Sequence, residues 1–129
     1  MKVITIWQPF AQAIAMGIKR YETRGWATRH RGLIAIHAAT RPMPMEFQRL
    51  AVQYGILEPL PRGKIIAICE LTDCVPITAE MIAEQAQSEL DFGDWRVGRF
   101  AWKLKVIRVL DAPIAASGRQ GLWNYEVPI

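Results

Sequence analysis

Cysteine and histidine are scarce, two of each in 129 residues, so a disulfide framework and a His/Cys zinc site both lack raw material. Cys69 and Cys74 stand in one β-prone run at an odd separation, which predicts side chains on opposite faces, out of reach of a bridge. His30 and His37 have no evenly spaced third ligand, and no metal or other cofactor is expected. No uncharged run nears the ~18 residues of a membrane span. The start MKVITIWQPF lacks the longer apolar block and small-residue cleavage site of a signal peptide. The expectation is a cytoplasmic chain without a membrane partner. Internal repeats, a G-x-S-x-G elbow and a phosphate-type glycine fingerprint are also absent, which disfavours a serine hydrolase and a Rossmann domain.

What is present is ordinary globular usage, 51% hydrophobic and 22% charged, enough for one core and one domain over 1–129. The net charge of +4 is unevenly placed. Residues 1–31 carry six basic and one acidic side chain, 32–94 carry four and nine, and 95–129 carry six and two. A fold that joins the two ends would gather a positive surface suited to a polyanion. The same charge would also serve as a plain solvated face.

Hydrophobic spacing gives the elements. Lys2–Ile6 predicts a strand, followed by Gln8-Pro9 opening a short helix with Phe10, Ala13 and Ile14 on one face and Gly17 as its stop. Strands are expected over 20–26 and 33–37. A second helix runs from Pro44 to Gly55. After the connector LEPLPRG comes a long strand over 64–75, ended by Pro76. A helix over about 79–90 is capped by Thr78, and Phe100–Leu110 forms a strand with Trp102 inward and Lys103 and Lys105 outward. A last short strand is expected in the tail. Strands separated by single short helices argue for an α+β fold, a small mixed β-barrel or open sheet with helices at its edges.

The densest segment runs from Gly17 to Arg31, with five basic residues in positions 19–31. On a strand through 20–26, period two puts Glu22, Arg24 and Trp26 on one face, with Lys19 in the preceding turn. An aromatic plane, a carboxylate acceptor and nearby cations are what a nucleotide pocket needs. The same residues would also make a Glu22–Arg24 ion pair beside a core tryptophan. Of the five tryptophans, Trp7 and Trp26 fall at element ends where a ring face can stay open. Arg31 and Arg119 add cations in basic turns. Lys19, desolvated beside other cations, is the candidate base or nucleophile should the chain be an enzyme, with Glu22 as its partner. His37 is expected at the core edge with its hydrogen bonds satisfied.

The stretch IWQPFAQAIAMGIKRYETRGWATRHRGLIAIHA resembles the opening of ASCH domains, the activating signal cointegrator 1 homology family of the PUA-like superfamily. Its carriers are Gln-Pro-aromatic-Ala, then G-x-K-x-x-E-x-R in Gly17, Lys19, Glu22 and Arg24, then an Arg-Gly turn into an apolar strand. The resemblance implies a small PUA-like barrel with a cleft beside the first helix. Lys19, Glu22 and Arg24 would face that cleft, with Trp7 and Gln8 at its rim. Family members have been associated with RNA or DNA binding and with transcriptional coactivation. Some small bacterial members hydrolyse N(4)-acetylcytidine with a lysine, a threonine and a glutamate; here Lys19 matches the lysine, while Glu22 stands at the threonine position.

The leading expectation is therefore a module that binds single-stranded RNA or DNA, or a free nucleoside or nucleotide, through Trp7, Gln8, Lys19, Glu22, Arg24, Trp26, Arg31 and Arg119. Lys19 and Arg24 would meet phosphate or base acceptors, and Glu22 would accept from a base amine. The alternatives are an amidohydrolase of a modified nucleoside, and a protein-interaction adaptor that uses the acidic third helix.

Overall fold

A computed structural model describes residues 1–128; residue 129, the end of the expected domain span, lies outside them. Six strands form one curled sheet in the order β2-β5-β4-β3-β1-β6. These are β1 (Lys2–Ile6), β2 (Tyr21–Arg24), β3 (Gly32–Ala38), β4 (Lys64–Pro76), β5 (Phe100–Ala115) and β6 (Leu122–Asn124). Four helices flank them, α1 (Phe10–Ala15), α2 (Met45–Gln53), α3 (Ala79–Glu84) and α4 (Gln87–Asp91). The result is the expected α+β architecture, a mixed half-barrel with short helices. β1 and β3 are parallel and every other neighbouring pair is antiparallel. A parallel pair needs a crossover, and α1 lies within it.

The middle of the sheet, β1, β3 and the first half of β4, is buried on both faces. Ile4, Ile36, Ala67 and Leu71 meet Ile14 of α1 and Trp102 on one side, while Val3, Ala35, Ile68 and Trp123 pack on the other. Trp102 is fully buried, as its parity on β5 predicts. Gly17 and Gly55 take positive φ just past α1 and α2, the left-handed stop that a side chain would disfavour. The ends of the chain do come together, since β1 pairs with β6 and β2 with β5.

Four local expectations need correction. The helix expected over 79–90 is two, because Gln85 and Ala86 adopt extended backbone between α3 and α4. β5 runs on to Ala115, carried past Leu110 by pairing with Lys64 and Ile65 of β4. The strand expected over 20–26 stops at Arg24, where pairing with Phe100 ends. Cys69 and Cys74 pack against the same core cluster, since a register shift between Leu71 and Asp73 reverses the alternation. Both are free thiols, and burial pushes that of Cys69 up to about 12.

Candidate functional site

The curl of the sheet brings β2, one edge in the strand order, across to β1 near the other. Arg24 closes that seam: its Nη2 donates to the Thr5 carbonyl at 3.0 Å, and its Nε donates to Glu22 Oε2 at 2.9 Å. A cleft of about 620 Å³ opens there, within the range of small-ligand sites. Its apolar walls are Trp7 and Phe10 from the β1–α1 corner, Phe47 of α2 and Phe92 after α4. Its polar lining is Thr5 of β1, Glu22, Thr23 and Arg24 of β2, and Asp91, Asp94 and Arg99.

Lys19 does not face this cleft. It is 2% exposed, with Nζ donating to the Phe92 carbonyl at 2.8 Å and lying 3.4 Å from Glu22 Oε1. The turn after α1 aims it inward: the backbone N–H groups of Ile18 and Lys19 both return to the Ala13 carbonyl, and Gly17 supplies the reversal. Burial lowers its pKa against the opposing pull of Glu22 and Glu89. Glu22 is thus clamped between an ammonium behind and a guanidinium beside it.

The wall carrying Asp91 and Asp94 hangs on contacts the sequence did not signal. Glu89 is buried, and its carboxylate accepts from the backbone N–H groups of Arg20 at 2.7 Å and Tyr21 at 3.3 Å. Nothing in the periodicity of 79–90 marks this glutamate as inward. The Tyr54 hydroxyl donates to Asp91 and holds its carboxyl below the usual carboxylate range, helped by Gln87. The Arg96 guanidinium does the same for Asp94. Both of these acids stay ionised at neutral pH, and with Glu22 they share the cleft lining with the two guanidiniums of Arg24 and Arg99.

The remaining expected residues are dispersed. Gln8 is buried and anchors α1, its amide donating to the Pro61 carbonyl while its oxygen accepts from the Gln12 N–H, both at 2.9 Å. Trp7 is 46% exposed at the cleft mouth, with the Arg41 guanidinium 3.8 Å from its ring centroid. Trp26, 38% exposed, lies beyond the strand end and packs edge-on against Trp102 rather than in the cleft. Arg31 hydrogen-bonds its own turn, to the carbonyls of Thr28 and His30. Arg119 is exposed in the C-terminal turn and lines no part of the cleft. The structure therefore brings Trp7, Glu22 and Arg24 together and places Lys19 directly behind them. Among the described residues, no group of three or more His, Cys, Asp or Glu side chains is set to hold a metal ion. No described helix is long and apolar enough to cross a membrane.

A half-barrel with a seam cleft beside its first helix defines a class of small β-barrel modules, and comparison with known proteins agrees. The ASCH domain profile matches residues 4–115, and the chain belongs to the ASCH domain family. Activating signal cointegrator 1 of Homo sapiens and of Mus musculus are each 35% identical over 81 residues, 56% of this chain and 14% of theirs, so the chain spans a small part of their length. A crystal structure of ASCH from Zymomonas mobilis superposes with a TM-score of 0.63 at 19% identity, covering 97% of this chain and 87% of that one. That likeness shares the fold.

Proposed function

We propose that this ASCH domain binds single-stranded nucleic acid, RNA foremost, or a nucleotide, by taking one base into the seam cleft and leaving its phosphates outside. The carrying observation is the clamped Glu22 beside Arg24. A fixed acceptor next to a guanidinium donor suits a base edge that offers an amine beside a ring acceptor. Phosphate suits this cleft poorly, since its carboxylates outnumber its guanidiniums. Arg41 covers one face of the half-exposed Trp7 ring and offers a charge at the mouth, leaving the other face as the stacking plane. Unstacked bases of single-stranded RNA are the targets such sites take.

The test is a tryptophan-fluorescence titration with free nucleosides and with short single-stranded RNA and DNA over a salt series. Saturable quenching by amino-bearing nucleosides is expected, weakened in Glu22→Gln and Arg24→Ala. RNA should show a shallow slope of log affinity on log salt, about −1.4 for two phosphate contacts. Absence of binding by both nucleosides and RNA, or full binding by both variants, overturns the reading. Chromatography of N(4)-acetylcytidine in the same samples tests the amidohydrolase alternative, which requires Lys19 to leave its burial behind Glu22. The name of the mammalian relatives, a signal cointegrator, favours the adaptor alternative. Partner capture unchanged when Arg24 and Lys19 are both replaced by alanine would support that alternative.

A further inference from the structure

One buried polar network lies outside the roles assigned above. The Thr5 hydroxyl accepts from Trp123 Nε1 at 3.0 Å and lies 3.2 Å from His37 Nδ1, and His37 Nε2 lies 2.7 Å from the Ala116 carbonyl. An indole N–H can only donate and a carbonyl can only accept, so Thr5 accepts from Trp123 and His37 Nε2 carries a hydrogen; in the neutral imidazole Nδ1 is then the acceptor for the Thr5 hydroxyl. Trp123 donates to Thr5, Thr5 donates to His37 Nδ1, and the Nε2–H of His37 donates to Ala116. The imidazole is 1% exposed and meets the Trp123 ring edge to face, centroids 5.4 Å apart. Gly118 sits against the same pair: a Cβ there would fall 2.9 Å from His37 Cε1 and 3.1 Å from the Thr5 hydroxyl. The turn over 116–123 therefore closes on Thr5 and His37 at three points.

Thr5 is also where the cleft begins. β6 pairs with β1 as far as Ile4, so the Thr5 carbonyl lies just past the last paired residue and is taken instead by Arg24 Nη2. We infer that Thr5, His37 and Trp123 are positioning residues. With the close approach of Gly118, they hold the Thr5 peptide in place, and through it the Arg24 guanidinium and the Glu22 carboxylate. A turn more than a hundred residues downstream of Thr5 thus sets the geometry of the signature strand. The hydroxyl of Thr5, rather than its bulk, is the element that matters.

The experiment compares wild-type, Thr5→Val, Thr5→Ser and Trp123→Phe, using ¹⁵N NMR of the Arg24 Nε–H assigned through Arg24→Lys, together with adenosine and cytidine titration. The resonance reads cleft geometry without any ligand, so this inference and the nucleotide reading on which its affinity arm rests can fail separately. Trp123→Phe removes one hydrogen bond from the anchor and Thr5→Val removes two; Arg24 Nε–H exchange should speed about five- to tenfold in Trp123→Phe and at least as much in Thr5→Val, with nucleoside binding weakened by similar factors. Thr5→Ser should restore both. A folded Thr5→Val or Trp123→Phe with wild-type exchange overturns the inference, as does a Thr5→Ser variant no better than Thr5→Val. Accelerated exchange in a protein whose wild-type form binds neither nucleoside upholds the positioning and overturns the nucleotide reading.

Discussion

Replacing Lys19 by methionine separates a structural lysine from one that meets ligand. Methionine keeps the unbranched apolar stem but lacks the terminal ammonium, and so loses two partners, the Phe92 carbonyl and the Glu22 carboxylate. Breaking a buried pair by removing one member costs about 3–5 kcal/mol when the other charge is left bare; here Arg24 Nε stays 2.9 Å from Glu22, which puts the loss at the low end, about 3 kcal/mol. At roughly 4 °C per kcal/mol for a chain of this size, that lowers Tm by about 12 °C. Adding Glu22→Gln removes the stranded charge while leaving an oxygen for Arg24. The double variant should therefore be more stable than the two single losses sum to, by about 1–3 kcal/mol. Part of the loss stays, since the Phe92 carbonyl remains without its donor. Urea unfolding of the four proteins, followed by circular dichroism, completes the cycle. A Lys19→Met variant within about 1 kcal/mol of wild-type, or a double variant whose losses simply add, refutes the counter-ion role.

The same residue gives a pH dependence of definite sign. The folded pKa of Lys19 is depressed by burial below the unfolded value near 10.5. Between the two values the unfolded chain binds more protons, so stability linked to Lys19 rises with pH across that window and is lost as pH falls through the folded value. The stability gap between wild-type and Lys19→Met should be flat at lower pH and widen as pH approaches 10.5. A gap that narrows over that range contradicts the assignment.

Three further outcomes can be checked with standard assays. Ile14→Ala, at a fully buried position where α1 meets the sheet, should lose about 2–5 kcal/mol in urea unfolding. Thr78→Ala removes the acceptor for the Met81 N–H at the start of α3 and should cost about 1 kcal/mol in the same assay, with Thr78→Ser close to wild-type. Arg41→Ala removes the guanidinium stacked on Trp7; RNA affinity should fall more than nucleoside affinity, and the salt slope should become shallower by about 0.7.

The elements were legible because their signals are local. Alternation placed Trp102 inward, glycines past Ala15 and Gln53 marked the ends of α1 and α2, and Thr78 announced a cap that forms. The candidate site was legible in membership and less so in geometry. Glu22 and Arg24 share a face by period two, yet Lys19, an exposed type by any propensity, is buried because the curl lays α4 and Phe92 over it. Glu89 was invisible for the same reason, since its acceptors' partners are backbone N–H groups far upstream in the chain. Cys74 shows the complementary failure: parity is exact only in an unbroken ladder, and one register shift sends every later side chain to the other face. Closure of the half-barrel is thus what converts a list of polar residues into a cleft with a sign. Before closure, 1–31 reads as a cationic segment suited to phosphate. After it, Lys19 is spent on Glu22, Arg24 on the seam, and Asp91 and Asp94 line the opening. That change of sign is the ground on which a base edge, rather than a phosphate, is proposed as the ligand of the cleft.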